Sequence, residues 1–183
     1  MTKAAVRKRF LGARLSLDNL EIHKKSKKLF KNFLQVDELA SKKNALLYFP
    51  IKNEVETQNF FAFYLKLGAN IFLPAFDGKS WGVSKFTSFD DLIEGPFGTV
   101  QPKGIHAEHP EIDLAIVPGL AFSKNGVRVG FGMGIYDLIL SKHTAFVVGL
   151  CFDFQLVDSL IKEEHDVLVD MLITDKKMLG TTF

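Results

Sequence analysis

Apolar residues in the first 34 positions lie three or four residues apart, as at Val6 and Phe10 and again at Leu29 and Phe33. One turn of an α-helix takes 3.6 residues, so this spacing gathers the apolar side chains on one helical face. The pattern therefore predicts two amphipathic helices at the start of the chain. Asp18 is the predicted N-cap of the second helix, because its carboxylate can accept a hydrogen bond from a free N–H group of the first turn.

The apolar residues then change to short continuous runs bounded by turn residues, at residues 45–51, 69–76, 112–122, 146–152 and 166–174. Runs of this length predict buried strands. Residues 53–68 lie between the first two runs and have helical periodicity, with Asn53 as the predicted N-cap and Gly68 as the end. A strand, helix, strand order predicts parallel pairing. We therefore expect an α/β fold, a single-domain three-layer sandwich over residues 1–183 with a mostly parallel sheet and helices on both faces.

Polar segments follow four of the five predicted strands, at residues 50–56, 74–78, 118–126 and 152–155. Ligands of open α/β sheets bind beyond the carboxyl ends of the strands, so a site is expected where these segments meet. Residues 81–109 are rich in glycine and proline and partly alternate between apolar and polar. They are interpreted either as a small antiparallel excursion or as a long functional loop.

Charge is distributed unevenly along the 183 residues. Residues 1–31 contain ten basic and two acidic side chains, whereas the whole chain carries a net charge of +2. This asymmetry predicts a polyanionic partner near the N-terminal helices, whether nucleic acid, nucleotide or a carboxylate-rich ligand, unless the lysines only form a solvated helix face. The arginines and the lack of acids before Asp18 also fit a mitochondrial transit peptide.

No apolar stretch approaches the roughly 20 residues of a membrane span. The single cysteine, Cys151, excludes a disulfide within the chain. These features favour a soluble cytoplasmic protein. We expect a monomer or a weak homodimer.

Three glycines, Gly130, Gly132 and Gly134, precede an apolar run that predicts a helix. Glycines lose the most backbone entropy on folding and contribute no packing, so three together require a reason. Close approach of main-chain N–H groups to an anion is the usual one. With Arg128 beside it, the segment predicts a phosphate-binding loop; the alternative is a mobile surface turn.

This segment matches neither of two common nucleotide motifs. It lacks the G-x-x-x-x-G-K-[ST] pattern of P-loop proteins, and Ile135 occupies the third glycine of the dinucleotide fingerprint. Asp153, after the next strand, could imitate the acid that binds a ribose, so NAD remains a minor alternative.

Acidic residues suggest a metal site. Asp170 interrupts an apolar run, and a buried carboxylate must either pair with a cation or bind a metal. Asp137 lies one helical turn beyond the glycines, and two acids near a phosphate loop suit magnesium. Glu56 falls at the third helical position after Asn53, where it can close a capping box or bind a ligand, and both interpretations stay open. His106 and His109 share a loop without a third ligand, which makes a metal site there improbable.

Four features of the chain occur in a recognisable order. Lys3 and Arg7 form K-x-x-x-R, residues 49–57 are FPIKNEVET, residues 112–137 contain PGLAF followed by G-x-R-x-G-x-G-x-G and YD, and residues 165–174 are HDVLVDMLIT. In this combination they resemble the 5-formyltetrahydrofolate cyclo-ligase family, also called 5,10-methenyltetrahydrofolate synthetase. The resemblance covers nearly the whole chain.

The resemblance implies an enzyme that uses ATP and magnesium to convert 5-formyltetrahydrofolate to 5,10-methenyltetrahydrofolate through a phosphorylated formyl group, with release of ADP and phosphate. Its partners would be ATP and a reduced folate, with neither nucleic acid nor membrane. By similarity, the catalytic residues are Arg128 and Tyr136. The implied ATP-binding residues are Lys3, Arg7, Arg128, Gly130, Phe131, Gly132, Met133, Gly134 and Tyr136. The implied substrate-binding residues are Ile51, Glu56, Phe131 and Ile135, and the implied metal ligands are Asp137 and Asp170.

Three positions of the glycine segment depart from the family pattern. Ile135 stands where a tyrosine is expected, and Phe131 and Met133 fill positions that often carry polar side chains. Fewer polar groups are therefore expected to face the ligand. A folate-binding protein without catalysis, or a polyanion-binding α/β protein that takes RNA, is the alternative function.

Overall fold

The computed structural model describes residues 2–104 and 110–181. The α-helices are α1 Lys3–Leu15, α2 Asn19–Phe33, α3 Asp37–Ala40, α4 Gln58–Lys66 and α5 Ile135–Leu140. The strands are β1 Asn44–Leu46, β2 Asn70–Phe76, β3 Trp81–Lys85, β4 Leu92–Glu94, β5 Val100–Pro102, β6 Leu114–Pro118, β7 Ala121–Ser123, β8 Arg128–Val129, β9 Phe146–Leu150, β10 Leu156–Val157, β11 Met171–Ile173 and β12 Met178–Gly180. His106 and His109 lie outside the described residues.

The main sheet has seven strands in the order β12-β11-β9-β6-β1-β2-β3. Its five inner strands are parallel, and they come from the five apolar runs of the sequence. Both edge strands, β3 and β12, are antiparallel to their neighbours. The prediction of a mostly parallel sheet is confirmed.

Alternate residues of the inner strands face two different cores. Ala45 and Leu47 contact the side chains of α2, α3 and α4, whereas Leu46 belongs to the core that contains Ile139 and Leu140 of α5. Residues of a strand point to opposite faces in turn, so the sheet is covered by helices on both sides. The expected three-layer arrangement is confirmed.

Phenylalanine rings fill the core beneath α2 and α4. The rings of Phe33 and Phe60 pack edge to face with centroids 4.8 Å apart, and those of Phe30 and Phe60 are 4.9 Å apart. Such pairs add about 0.5–1.5 kcal/mol beyond the buried area itself. Much of the phenylalanine content therefore serves packing.

The two N-terminal helices form as predicted. The Glu21 main-chain N–H donates to Asp18 Oδ1 over 2.8 Å, and the Asp18 N–H donates to Glu21 Oε2 over 3.4 Å, which completes a capping box. Helix α1 buries Val6 and Phe10 against Val129 and other residues near a separate three-stranded sheet, β10-β7-β8. This packing places α1 beside the glycine segment that follows β8.

The predicted start of the helix after β1 is wrong. Helix α4 begins at Gln58 with Thr57 in the N-cap position, and Asn53 adopts a left-handed conformation with φ 60°. The Asn53 side-chain amide donates instead to the main-chain oxygens of Arg14 and Leu17, over 3.3 and 3.1 Å. Asparagine tolerates this conformation better than most residues, so it fixes the loop to α1 rather than capping a helix. The capping box proposed for Glu56 is excluded by the same shift, whereas Gly68 ends the helix as predicted, with φ 69°.

The described part of residues 81–109 forms an antiparallel excursion. Strand β3 pairs with β2, and β4 pairs with β5. Phe97 lies between the last two with φ 63°, which projects its ring from a tight turn. No helix among residues 2–104 and 110–181 combines the length and the apolar character needed to cross a bilayer.

Candidate active site

A cavity of about 360 Å³ opens beyond the carboxyl ends of β1 and β6. Six parts of the chain line it: the first two turns of α1, the loop after β1, Phe97 with Thr99, residues 118–119, residues 128–137 and residues 163–166. This is the edge of a parallel sheet where ligands are expected. Of the four polar segments predicted to meet here, those after β1 and β6 reach the cavity lining, whereas residues 74–78 and 152–155 are not part of it.

The glycine segment forms a turn between β8 and α5. Gly132 and Gly134 have φ of 101° and 64°, values that strain any residue with a side chain. A Cβ atom at Gly130 would lie 2.9 Å from Nη1 of Arg128. Each of the three glycines therefore has a local structural reason, and the turn brings main-chain groups to the cavity surface.

Arg128 is held beneath this turn. It is buried, and its Nη2 donates to Asp137 Oδ2 over 2.9 Å, while its guanidinium lies 5.3 Å from the centre of the Tyr136 ring. Its Nε has no hydrogen-bond partner among the described residues. A buried donor without a partner is costly, and a ligand oxygen in the cavity would satisfy it.

Tyr136 lies in the cavity wall between the two cores of the sheet. Burial raises the pKa of its hydroxyl well above the usual value, and the negative charge of Glu54 adds to the effect. The hydroxyl therefore remains protonated at neutral pH and can donate a hydrogen bond.

Helix α1 presents Lys3 and Arg7 to the cavity, one turn apart on the same face. Arg7 Nε donates to the main-chain oxygen of Gly130 over 3.0 Å, which ties the helix to the glycine turn. Lys3 Nζ donates to Asp166 over 2.6 Å and lies 3.2 Å from Glu163. Both basic residues named from the sequence thus line the cavity.

Two carboxylates of this part of the lining, Asp137 and Asp166, belong to neighbouring segments. The Val167 main-chain N–H donates to Asp137 Oδ1 over 3.3 Å, so the segment that carries Asp166 runs directly beside Asp137. Burial of Asp166 opposes its ionisation, but the Glu163 N–H and Lys3 outweigh burial and lower its pKa. The Asp166 side chain is therefore available as an anion. Glu163, His165 and Asp166 also have potential ligand atoms within 4.8 Å of one another.

The structure does not bring Asp170 to the cavity. It precedes β11 at the amino edge of the sheet, and its Oδ2 accepts a 2.7 Å hydrogen bond from the Val147 main-chain N–H. The carboxylate is half-buried and satisfied by the backbone, so the cation or metal expected from the sequence is not needed. Asp137 and Asp170, paired in the sequence analysis, are thus separated.

The loop after β1 places Ile51, Lys52 and Glu54 in the cavity lining. Glu54 is 5% exposed, and its Oε2 accepts a hydrogen bond from the Ile51 N–H over 3.0 Å. Burial raises its pKa to about 7, although the positive charge of Arg14 opposes the shift. Glu56 lies outside the lining, with Oε2 2.8 Å from His23 Nδ1. The substrate-binding role of Ile51 fits its position, whereas that of Glu56 gains no geometric support.

Arg14 supports this loop from below. It is fully buried, with Nε donating to the Lys52 oxygen over 2.9 Å and Nη1 to the Gly119 oxygen over 3.0 Å. Its Nη2 lies 3.6 Å from Glu54 Oε1. One side chain of α1 therefore joins the segments that follow β1 and β6.

The three residues that depart from the family pattern all line the cavity. The ring of Phe131 is 4.7 Å from Lys52 Nζ and 5.5 Å from the Arg14 guanidinium carbon. Met133 is 57% exposed at the cavity rim, and Ile135 is half-buried. The apolar replacements are accommodated without disturbing the turn, because its shape depends on the glycines.

Several residues of the site were not predicted from the sequence, among them Arg14, Glu54, Phe97 and Asp166. Arg14 lies four and seven residues from Phe10 and Arg7, on the face of α1 that was already assigned to the core and the ligand, so helical spacing could have identified it. Asp166 begins the last apolar run and was a visible alternative to Asp170. Phe97 carried no signal, because its exposure depends on a left-handed turn that its sequence does not predict.

Comparisons with known proteins agree on one family. Residues 1–175 match the 5-formyltetrahydrofolate cyclo-ligase family. The solved structure of the Aquifex aeolicus 5,10-methenyltetrahydrofolate synthetase superposes with a TM-score of 0.88 at 33% identity, over 100% of this chain and 94% of that one. A 5-formyltetrahydrofolate cyclo-ligase of Mycoplasma pneumoniae is 31% identical over 181 residues, 96% of this chain and 100% of the relative. One of Haemophilus influenzae is 29% identical over 170 residues, 87% of this chain and 91% of the relative.

Proposed function

Because the chain belongs to the 5-formyltetrahydrofolate cyclo-ligase family, we propose that it uses ATP and magnesium to convert 5-formyltetrahydrofolate to 5,10-methenyltetrahydrofolate, with release of ADP and phosphate. The membership confirms the resemblance found in the sequence and indicates an enzyme with cyclo-ligase activity. ATP dependence, the metal and the residue roles are the proposal. The observation that carries it is a single cavity lined by the glycine turn, by Lys3, Arg7 and Arg128, and by carboxylates.

The glycine turn and the three cations suit a triphosphate. Main-chain groups at Gly132 and Gly134 can approach phosphate oxygens without obstruction by side chains. Arg128 contributes a buried guanidinium with an unpartnered Nε, and Arg7 and Lys3 add two further positive charges. Positioning and charge stabilisation are the main requirements of phosphoryl transfer, and no nucleophilic side chain is needed.

Asp137 and Asp166 fit a magnesium ion, because carboxylate oxygens are its preferred protein ligands and it usually bridges them to substrate phosphates. In the structure Arg128 and Lys3 neutralise these two acids. Phosphate oxygens of bound ATP can pair with Arg128 and Lys3 instead, so that both carboxylates can bind the metal. Magnesium would then neutralise charge on the transferred phosphoryl group.

The apolar part of the lining suits a reduced folate. Phe49, Ile51 and Phe97 contribute apolar and aromatic surface near Glu54 and the Tyr136 hydroxyl. An amide oxygen is a poor leaving group, so phosphorylation of the formyl oxygen activates the formyl carbon for attack by the neighbouring nitrogen. Tyr136 is placed to donate a hydrogen bond to the formyl group or to a phosphate.

The direct test is to mix the protein with 5-formyltetrahydrofolate and magnesium, with and without ATP, and to record the absorbance of the methenyl product. Absorbance that rises only with ATP is expected. Folate binding without turnover would instead favour the non-catalytic alternative, which the apolar Phe131, Met133 and Ile135 motivate.

The metal assignment has its own test, in which Asp137→Asn, Asp166→Asn and Asp170→Asn are compared. Asp137→Asn should abolish magnesium-dependent turnover while leaving the fold intact. Asp166→Asn should raise the magnesium concentration needed for half-maximal rate, because a ligand is lost, whereas Asp170→Asn should not. If Asp170→Asn raised the required magnesium concentration and Asp166→Asn did not, Asp170 rather than Asp166 would be the metal ligand.

A further inference from the structure

Glu54 is the buried acid of the cavity lining that the proposed phosphate and metal binding does not use. The other three acids of the described lining, Asp137, Glu163 and Asp166, each lie within 3.2 Å of a lysine or arginine nitrogen. Glu54 has no such close cation, since Arg14 Nη2 is 3.6 Å from its Oε1, beyond ordinary hydrogen-bond distance. Its carboxyl group is therefore less closely paired with a cation than those of the other three acids.

The loop holds this carboxyl group in a fixed position. Its Oε2 accepts the Ile51 N–H over 3.0 Å. The same loop is anchored to α1 through the bond from Arg14 Nε to the Lys52 oxygen. Oε1 remains on the side of the carboxyl group that has no hydrogen bond to the loop. Glu54 thus combines burial, a fixed orientation and an oxygen, Oε1, whose nearest cationic partner is the Arg14 Nη2 at 3.6 Å rather than a hydrogen-bonded group.

Ring closure releases one proton. The N10 lone pair forms a bond to the formyl carbon, the bond from that carbon to the phosphorylated oxygen breaks, and phosphate leaves with the electron pair. N10 carries a hydrogen in the substrate and none in the 5,10-methenyl product, so a base has to take it. On the basis of the proposed function, we propose that Glu54 is the catalytic residue that accepts this proton from N10.

The electrostatic surroundings of Glu54 suit the role. Burial raises its pKa to about 7, and the positive charges on its neighbours oppose the shift without cancelling it. The charged and titratable groups that face it are Arg14 of α1, Tyr48 and Lys52 after β1, Arg128 of β8 and Tyr136 of α5. A base that titrates near the working pH is both available in its ionised form and strong enough to take a proton.

The test separates phosphorylation from ring closure in a single turnover. Wild-type protein and Glu54→Gln are mixed rapidly with ATP, magnesium and 5-formyltetrahydrofolate, and ADP and the methenyl absorbance are followed together. ADP should form at the wild-type rate in the variant, while the methenyl product should appear about 100-fold more slowly, the usual loss on removing a general base. The wild-type rate of ring closure should rise with pH around a midpoint near 7, and this rise should disappear in the variant.

Two further variants make the outcome decisive. Glu38→Gln removes an exposed carboxylate on α3 and should retain the wild-type rate and pH profile. Glu54→Asp, which serves if Glu54→Gln does not fold, should slow ring closure and shift the pH midpoint, because the carboxyl group is withdrawn by one methylene. Equal loss of ADP formation and ring closure in a folded Glu54→Gln would overturn the proposal, as would an unchanged Glu54→Asp. A wild-type protein with no ATP-dependent product would instead defeat the proposed function.

Discussion

The glycine turn of residues 130–134 and the loop of residues 51–57 line the same cavity, and both depend on left-handed backbone. In the turn that conformation falls on Gly132 and Gly134, which adopt it with little strain. In the loop it falls on Lys52, for which it is costly, and on Asn53, which tolerates it better than most residues but less well than glycine. The turn is therefore shaped by its own residues, whereas the loop must be held by others.

The loop is held by hydrogen bonds to α1 and to the residues that directly follow it. Arg14 bonds the Lys52 oxygen, and the Asn53 amide bonds two main-chain oxygens at the end of the helix. The glycine turn has one comparable tie, from Arg7 to Gly130. The difference implies that changes to the groups that hold the loop should mainly affect stability, whereas changes at the turn should affect ligand binding.

The largest effect is expected from Arg14→Met. The change leaves the Lys52 and Gly119 oxygens without their donor and Glu54 without its nearest positive charge, which should lower the free energy of unfolding by about 3–5 kcal/mol at pH 8. Urea unfolding measures this loss of free energy. Arg9→Met, an exposed arginine of the same helix, is the control and should change stability by no more than about 0.5 kcal/mol. Similar values for the two variants would show that the loop does not depend on Arg14.

The pH dependence of stability should show the second largest effect, through Glu54. Its pKa is raised from 4.5 to about 7 in the folded protein, so the protonated form is favoured by folding. The stabilisation is complete below pH 4.5 and is lost as the pH rises through 7, a change of about 3 kcal/mol. Unfolding curves of wild-type protein and Glu54→Gln between pH 5 and pH 8 should therefore diverge, with the wild type losing more stability. Parallel pH profiles would mean that Glu54 is ionised throughout.

A smaller effect is expected in the glycine turn, from Gly132→Ala. Its φ of 101° is strained for alanine, and the added Cβ would lie 3.4 Å from the Arg7 guanidinium. The KM for ATP should rise about tenfold, which corresponds to about 1.4 kcal/mol, and the strain should also lower the free energy of unfolding by about 1 kcal/mol. Gly12→Ala is the matched control, because Gly12 is helical and has nothing within 4 Å of the added Cβ. It should leave KM unchanged and stabilise the protein slightly. An unchanged KM in Gly132→Ala would show that the glycine turn does not bind the nucleotide.

The same contrast explains what the sequence could predict. Missing side chains are visible in a sequence, so the glycine turn, Arg128 and the helix that follows were all identified. The loop was not, because Asn53 is suited both to an N-cap and to left-handed backbone, and only its contacts with α1 decide between them.

The acids of the last apolar run show a similar limit. Asp166 and Asp170 stand four residues apart, and the local sequence does not show which of the two lies at the cavity. The choice depends on where β11 begins, at Met171, since this puts Asp170 at the amino edge of the sheet. Parallel strands themselves were predictable from continuous apolar runs, whereas the antiparallel edges β3 and β12 depend on pairing that local pattern does not encode.

The smallest effect is expected at Lys52, where it isolates the backbone strain of the loop. Lys52→Ala removes the contact of its ammonium with the Phe131 ring but keeps a side chain at φ 48°, whereas Lys52→Gly also relieves the strain. The Lys52→Gly variant should therefore be more stable than Lys52→Ala by about 0.5–1 kcal/mol, despite the greater backbone entropy of glycine in the unfolded chain. Urea unfolding of the two variants measures the difference directly. Equal stability, or a more stable alanine variant, would show that the loop is not strained at Lys52, and the contrast with the glycine turn would then rest on Arg14 and Asn53 alone.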